Sequence, residues 1–176
     1  MTDAEFAQTL KQAAYLEGDF TLRSGRKSKY YLDKYLFETQ PDLLRELGRR
    51  FARYVHDGID RIAGAELGAI TLAAAAALET GKPFVIVRNS KKAGYGTGKL
   101  IEGRLNPGER VLLVEDIVTS GGQAIEAMQT LVAAGATVDK LVAVIDRQEG
   151  GREAIESAGF AFASLLTSAD LGIGKI

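Results

Sequence analysis

The sequence predicts a single α/β domain built on a central parallel sheet flanked by helices. Short apolar strands alternate with helical segments along most of the 176 residues. The strands are almost continuously apolar, which is typical of a parallel sheet covered by helices on both faces. The chain has the length of one domain, and neither an internal repeat nor a low-complexity linker divides it. We therefore expect one domain over residues 1–176, with a small N-terminal hood over 1–40 and an α/β core over 41–166.

The N-terminal segment interrupts the alternation of strands and helices. Thr2 followed by Glu5 is a capping box, which predicts a first helix that ends near Gly18. Two short strands are expected at 20–23 and 29–33, on either side of a polar turn. Because this segment lacks the pattern of the core, we expect it to form the hood over the sheet.

The rest of the chain follows a regular order. Pro41 suits the first turn of a helix with an apolar stripe, and Gly58 is expected to end this helix. Beyond this helix, the apolar runs and the glycines after them predict strands at 61–63, 84–88, 110–115, 138–146 and 160–166 and helices at 67–80, 122–134 and 152–158. Parallel sheets of this kind bind ligands at the carboxyl ends of their strands.

Composition excludes several classes of function. The chain is 46% apolar and 26% charged, with a net charge of −1, so no overall field attracts nucleic acid or an anionic membrane. It has no cysteine, which excludes disulfides, thiol nucleophiles and cysteine-based zinc sites. The longest apolar run, 69–78, is about half the length of a membrane span, and the N-terminus does not resemble a signal peptide. We expect a soluble, cytoplasmic protein with neither a membrane nor a nucleic acid as partner. Basic clusters at 23–29 and 88–92 suit a small polyanionic ligand.

The most informative segment is 111–122, with the sequence VLLVEDIVTSGG. An apolar strand leads to two carboxylates, Glu115 and Asp116, and then to a Thr-Ser-Gly-Gly turn before a helix. A turn at a helix start offers free N–H groups and a positive dipole end, which favour a phosphate. The carboxylates can accept hydrogen bonds from the hydroxyls of a sugar. The alternative is an ordinary strand–helix turn, for which two adjacent acids after a buried strand are an unusual choice.

This segment resembles the signature of type I phosphoribosyltransferases that binds phosphoribosyl pyrophosphate (PRPP). It matches about a dozen contiguous positions without a mismatch. The resemblance implies a parallel core with a hood, and PRPP and Mg²⁺ as ligands. It implies that Glu115 and Asp116 hold the ribose hydroxyls, and that the 5-phosphate is held by Thr119, Ser120, Gly121, Gly122 and Gln123. No direct metal ligand from the protein is expected, since PRPP carries the Mg²⁺, with Asp116 as a contact through water.

The hood segment at 20–33, FTLRSGRKSKYYLD, resembles that of orotate phosphoribosyltransferases. Orotate carries a carboxylate, so its site needs cationic donors and a flat apolar cover. The resemblance implies that Arg23 donates to the base, where many members have lysine, and that Tyr30 or, preferably, Tyr31 stacks on it. The alternative is a basic surface hairpin with tyrosines in the core.

The segment 146–149, DRQE, is similar to another motif of the same enzymes. The resemblance implies that Arg147 reaches the carboxylate of orotate, to which a bidentate guanidinium is well matched. Thr119 is also expected at the orotate site. The alternative is a surface ion pair of Arg147, which would add little stability.

The glycine-rich stretch from Arg88 to 103 resembles the mobile catalytic loop of the family. There, basic residues close over the pyrophosphate and commonly come from the partner subunit of a dimer. The resemblance implies catalytic roles for Arg88 and for either Lys91 or Lys92, and it puts Tyr95 where members carry histidine. It also implies a homodimer in which the 89–103 loop reaches the neighbouring site. The alternative is a plain surface loop.

The turn at 64–70 lies where the family has its pyrophosphate loop. Backbone N–H groups of Ala65, Glu66, Leu67 and Gly68 are expected to bind the anion there. Gly68 stands at the position of the lysine that many members carry in this loop. A simple strand–helix turn would show a similar sequence.

The resemblance implies an enzyme that joins orotate to PRPP and gives orotidine 5′-monophosphate and pyrophosphate. Two alternatives share the PRPP turn: transfer to a purine, xanthine or uracil, and a non-catalytic regulator that binds PRPP. Arg23, Gly68 and Tyr95 differ from the residues that many members carry at these positions, and these departures keep the non-catalytic regulator open as an alternative. His56, the one histidine, is expected to be structural or at the surface.

Overall fold

The core is a twisted sheet in the computed structural model, which describes residues 1–21, 25, 27–89 and 98–173. Within these residues the sheet has the strand order β5-β4-β3-β6-β7-β8. All neighbouring strands run parallel except β5, which is antiparallel to β4. The strands are β3 (Arg61–Ala65), β4 (Phe84–Val87), β5 (Ile101–Glu102), β6 (Arg110–Val118), β7 (Thr137–Asp146) and β8 (Phe162–Thr167).

Four helices accompany the sheet: α3 (Pro41–Ala52), α4 (Ala69–Thr80), α5 (Gly122–Ala133) and α6 (Gly151–Ser157). Alternate residues of β6 point into two separate apolar cores. Leu112 and Val114 pack in the core that contains α3 and α4, whereas Val111 and Leu113 pack in the core that contains α5. All four side chains are fully buried. Burial on both faces explains why the strands read as continuous apolar runs, and the predicted α/β fold is confirmed.

The N-terminal residues form α1 (Asp3–Ala14), the antiparallel hairpin of β1 (Tyr15–Thr21) and β2 (Lys27–Leu32), and the short helix α2 (Tyr35–Glu38). The predicted capping box is present, with the backbone N–H of Glu5 donating to Thr2 Oγ1 at 3.2 Å. The prediction that the first helix ends near Gly18 was wrong. Tyr15 already pairs with Leu32 in the hairpin, and the chain leaves the helix to satisfy this cross-strand pairing.

A buried arginine joins the first helix to the core. Arg50 of α3 is 3% exposed, and it forms ion pairs with Asp3 at 2.5 Å and with Glu46 at 3.0 Å. Its guanidinium also lies 4.1 Å from the centre of the Phe6 ring. Since Phe6 and Leu10 are fully buried in the same apolar core as α3, the first helix has a defined position over the sheet.

Further elements differ from the predicted boundaries. α3 ends at Ala52, six residues before the predicted end at Gly58, and β1 begins at Tyr15, five residues before the predicted strand at 20–23. β6 continues to Val118, three residues past its predicted end at Glu115, because 115–118 pair with β7. Residues 101–102 form β5 at the sheet edge, within the stretch that the sequence assigned to a loop. Over the described ranges, no helix has the length and apolar character needed to cross a membrane.

Candidate active site

A cavity of about 470 Å³ lies at the carboxyl ends of β3 and β6 and reaches up to β2 of the N-terminal hairpin. Strand β6 reverses into α5 here, and β7 ends beside this turn. The cavity brings together eleven residues that the sequence analysis predicted: Tyr31, Ala65, Glu66, Glu115, Asp116, Thr119, Ser120, Gly121, Gly122, Gln123 and Arg147. Its lining is therefore drawn from the hairpin, the β3–α4 turn, the β6–α5 turn and the segment after β7.

The two adjacent acids lie within β6, one on each side of the strand. Asp116 is 4% exposed; its Oδ1 accepts the N–H of Ile117 at 2.5 Å, and its Oδ2 accepts from the Lys34 ammonium at 2.5 Å. Glu115 accepts the backbone N–H of Asp116 at 3.0 Å. Burial raises the pKa of Glu115 above its ordinary value, and the charge of Asp116 adds to this shift. Both carboxyls are thus held at defined positions in the cavity wall.

A third acid, Glu38 of α2, lies behind this pair. It is 2% exposed, and its Oε1 has no hydrogen-bond partner among the described residues. Burial and the nearby charge of Asp116 raise the pKa of Glu38 to about 7, against the opposing effect of Lys34. A Cβ atom at Gly68 would lie 2.2 Å from Asp116 Oδ2 and 2.8 Å from Glu38 Oε1. Glycine at this position therefore makes room for the two carboxyls.

The predicted phosphate turn connects β6 to α5. Gly121 has a φ of +82°, a left-handed conformation that glycine adopts without strain, and its carbonyl accepts the first helical N–H, from Ile125, at 2.9 Å. No side chain caps the N-terminus of α5, and Thr119 and Ser120 are exposed to the cavity. The turn thus presents hydroxyls and the positive end of a helix dipole to an anion.

Arg147 follows β7 and is held from several sides. Its backbone N–H donates to the carbonyl of Val118 at 2.9 Å, and its guanidinium donates to the hydroxyl of Tyr30 at 3.2 Å and pairs with Glu149 at 3.0 Å. Its Nε is buried and has no partner among the described atoms. Burial raises the pKa of Tyr30, an effect that the charge of Arg147 opposes. Arg147 is therefore held at a defined position in the cavity wall.

The two hood tyrosines face different partners. Tyr30 stacks on Tyr15, with ring centres 5.3 Å apart, and contacts Arg147. Tyr31 is 44% exposed, lines the cavity and leans on Phe20, with ring centres 5.6 Å apart. Tyr31 is thus the tyrosine with ring surface open to a ligand. Arg23 lies outside the described residues.

The β3–α4 turn is tied to the segment that follows β4. The N–H of Glu66 donates to the carbonyl of Val87 at 2.8 Å, and its binding of an anion stays a prediction. The Glu66 carboxylate accepts the N–H of Asn89 at 2.8 Å, and the Asn89 amide donates to the Glu66 carbonyl at 3.0 Å. Leu67 is 67% exposed and, like Gly68, does not line the cavity.

Arg88, predicted as catalytic, does not line the cavity. Its side chain pairs with Glu102 at 3.2 Å, and its backbone N–H donates to the carbonyl of Leu100 at 2.8 Å. These contacts join the two ends of the 89–103 segment. Lys91, Lys92 and Tyr95 lie outside the described residues.

The donor set of the cavity suits a divalent cation that arrives with its ligand. Carboxylate oxygens of Glu115 and Asp116, the ligand type that Mg²⁺ prefers, line the wall. Across the described ranges, no group of three histidine, cysteine, aspartate or glutamate side chains has the arrangement of a metal site. The residues thus fit a cation held mainly by a bound phosphate compound, with a carboxylate at its edge.

A second, larger depression, of about 810 Å³, lies between β5 and α5. It is more open and its lining is mainly apolar, with Leu100, Ile101 and Leu105 on one side and Ala133 and Ala134 on the other. The acid pair of β6 and the turn before α5 do not line this depression. The smaller cavity, which they do line, is therefore the candidate active site.

Comparison with known proteins identifies the family. Residues 37–165 match the family model described as the phosphoribosyl transferase domain, which is most of the chain. The chain belongs to this family. The resemblance to phosphoribosyltransferases, predicted from residues 111–122, is thereby confirmed.

Relatives of this phosphoribosyltransferase extend over its whole length. An orotate phosphoribosyltransferase of Methanocella arvoryzae is 51% identical over 170 residues, which cover 96% of this chain and 97% of that protein. Two crystal structures of Mycobacterium tuberculosis H37Rv orotate phosphoribosyltransferase are also similar. The complex with Fe(III) dicitrate has a TM-score of 0.86 at 34% identity and covers 97% and 99% of the two chains. The complex with 5-phospho-α-D-ribosyl 1-diphosphate, which is PRPP, has a TM-score of 0.82 at 33% identity with the same coverage.

Four charged or polar residues of the phosphoribosyltransferase site were missed by the sequence analysis: Lys34, Glu38, Asn89 and Glu149. Lys34 and Asn89 line the cavity, and Glu38 lies directly behind it. A weak signal existed for Lys34, since it directly follows the hood motif at 20–33. Glu38 lies in a short helix that the sequence did not predict, so the sequence around it gave no indication that this side chain is buried.

Proposed function

We propose that this protein transfers the 5-phosphoribosyl group of PRPP to orotate, giving orotidine 5′-monophosphate and pyrophosphate. One observation carries the proposal: a single cavity is lined by an acid pair, by the turn at the start of α5, by Arg147 and by the exposed ring of Tyr31. The acid pair and the turn suit a ribose 5-phosphate, and the arginine and the tyrosine suit a flat, carboxylate-bearing base. The relatives named orotate phosphoribosyltransferase support the same substrate pair.

In the proposed complex, the 5-phosphate binds at the β6–α5 turn. The backbone N–H groups at the start of α5 and the hydroxyls of Thr119 and Ser120 donate to its oxygens. Glu115 and Asp116 accept hydrogen bonds from the two ribose hydroxyls. Because both carboxyls are already held by backbone N–H groups or by Lys34, they fix the sugar with little reorganisation.

Orotate is proposed to bind between the hood and the segment after β7. Arg147 donates to its carboxylate, with Tyr30 and Glu149 holding the guanidinium. Tyr31 covers the ring face, and Arg23 is proposed from the resemblance as a second donor. A purine has no carboxylate to match this arginine, which favours orotate over that alternative.

The chemical step is proposed to be a direct displacement at C1 of the ribose. The orotate nitrogen attacks C1 as the bond to pyrophosphate breaks, so positive charge develops on the ribose and negative charge on the leaving group. Mg²⁺ bound with PRPP would neutralise charge on the pyrophosphate, and Asp116 would be the residue that holds it, through water. The chain itself contributes orientation of both substrates and cationic donors, and no covalent intermediate with the protein is needed.

The 89–103 loop is proposed to close over the pyrophosphate in a homodimer, with Lys91 or Lys92 as the catalytic lysine. The support is the resemblance of this stretch, together with the contacts of Arg88 and Asn89 that hold its base against the site. Mixed dimers of Lys92→Ala with Asp116→Asn test this arrangement. Recovery of activity in the mixture supports a shared site, and no recovery contradicts it. The cytoplasmic location remains a prediction.

An absorbance assay of orotate consumption tests the proposed function. The wild-type protein with PRPP and Mg²⁺ should consume orotate and release pyrophosphate in equal amounts, and a control with a chelator should not. Conversion of uracil, xanthine or a purine in place of orotate would contradict the assignment of Arg147. Binding of PRPP without conversion of any base would favour the regulator.

A further inference from the structure

The turn at 64–70 resembles the pyrophosphate loop of the family, and this resemblance puts Gly68 where many members carry a lysine. The carboxyl groups of Asp116 and Glu38 occupy the space beside Gly68 instead. A side chain at residue 68 would begin 2.2 Å from Asp116 Oδ2, and the ammonium of Lys34 lies 2.5 Å from that same oxygen. Asp116 Oδ2 thus lies between the Lys34 ammonium and the position that the Cβ atom of a lysine at residue 68 would take.

Lys34 comes from a different part of the chain, between the hairpin and α2. It lines the cavity together with Glu66 and the acid pair, and its side chain is 31% exposed. An ammonium group has three donors, and the bond to Asp116 uses one of them. The remaining donors can reach an anion in the cavity.

The electrostatic surroundings require a cation at this point. Glu38, Glu115 and Asp116 lie around Lys34, and all three act on it. A pyrophosphate group brought next to the carboxylate of Asp116 would be repelled unless a positive charge lay between them. Burial opposes the charged form of Lys34, yet the attraction of Asp116 and its neighbours keeps the pKa of Lys34 above the ordinary value. The contact of 2.5 Å between the Lys34 ammonium and Asp116 Oδ2 thus favours the charged form of the lysine.

We propose that Lys34 is the cation that contacts the pyrophosphate group in this protein, in place of the absent loop lysine at residue 68. Gly68 is the complementary change, since only glycine leaves room for the Asp116 carboxylate that holds Lys34. The inference rests on the proposed function, because it concerns the leaving group of that reaction.

The reverse reaction separates a contact with pyrophosphate from a structural role. Orotidine 5′-monophosphate and pyrophosphate are supplied with Mg²⁺, and the KM of each is measured for wild type, Lys34→Met and Lys34→Arg. We expect Lys34→Met to raise the KM for pyrophosphate about 10- to 100-fold, the effect of losing a charge-assisted hydrogen bond. The KM for orotidine 5′-monophosphate should rise far less than that for pyrophosphate, although its ribose binds the Asp116 carboxylate that Lys34 holds. Lys34→Arg, which keeps the charge, should recover most of the loss.

Lys82 provides the matched control. It precedes β4, at the amino edge of the sheet and away from the cavity. Lys82→Met should leave both KM values at their wild-type levels. If Lys34→Met raises the two KM values equally, or raises neither, Lys34 does not contact pyrophosphate and the inference is wrong.

A measurement on the wild-type protein covers the case in which Lys34→Met does not fold. Acetylation of individual lysines is followed by mass spectrometry with and without inorganic pyrophosphate and Mg²⁺. Pyrophosphate should slow acetylation of Lys34 and leave Lys82 unaffected; equal rates for Lys34 in both samples would overturn the inference. This experiment needs no orotate, so failure of wild type to consume orotate would reject the proposed function separately.

Discussion

Gly151, the first residue of α6, packs directly against the predicted phosphate turn. A Cβ atom at this position would lie 2.5 Å from the carbonyl oxygen of Thr119 and 2.5 Å from Cγ1 of Val118. Both neighbours belong to the end of β6 and the turn that follows it. Gly151→Ala therefore tests whether the exact position of this turn controls PRPP binding.

The size of the effect follows from these distances. Relaxing the two contacts to an ordinary carbon separation of about 3.5 Å requires the turn or α6 to move by roughly 1 Å. Overpacking of this kind costs about 1–3 kcal/mol, partly offset because alanine favours a helix more than glycine does. A chain of this length then loses roughly 2–8 °C in Tm. A displacement of about 1 Å at a substrate-positioning turn can lower turnover about 100-fold.

The assay compares kcat/KM for PRPP with thermal unfolding. Gly151→Ala should lower kcat/KM about 10- to 100-fold while the protein remains folded. Ser157→Ala, an exposed change at the end of the same helix, should alter neither quantity. If Gly151→Ala keeps both the wild-type Tm and the wild-type kcat/KM, the turn tolerates the displacement and the reasoning fails.

Three further predictions concern charged groups. Because the pKa of Glu38 in the folded state is raised to about 7, the free energy of unfolding should fall by about 1–2 kcal/mol as the pH rises from about 4.5 to 7. Glu38→Gln should abolish this loss. If the Tm values of the wild type and of Glu38→Gln change with pH in parallel, the prediction is contradicted. Arg61 binds Glu109 through two hydrogen bonds of 2.8 and 2.7 Å and lowers the pKa of Glu109 to about 2. Glu109→Gln should therefore lose about 1–2 kcal/mol at pH 7, a difference that shrinks as the pH falls from about 4.5 towards 2 in urea unfolding. Arg147→Met should raise the KM for orotate about 10- to 100-fold with the KM for PRPP nearly unchanged, and equal changes in both would refute its assignment to the carboxylate.

The sequence predicted those parts of the site that are contiguous in the chain. Residues 115–123 carry the acids and the phosphate turn in one segment, so their spacing is maintained by local backbone geometry. Even there, the boundary of β6 was wrong by three residues, because pairing with β7 extends the strand beyond what its own apolar pattern indicates. The end of α1 was wrong for a similar reason, since the hairpin partner lies in another part of the chain.

The sequence by itself determined the fold class and the phosphoribosyltransferase motif, because burial on both faces of a sheet and a strand–turn–helix motif leave local patterns. Only the tertiary structure decided which distant side chains meet. Lys34 pairs with Asp116 across 82 positions, and Arg147 contacts Tyr30 across 117. The burial of Glu38 and the need for glycine at residue 68 depend on the same long-range packing. Such contacts arise from the way in which the hood lies on the sheet, and no periodicity or spacing within one segment encodes them.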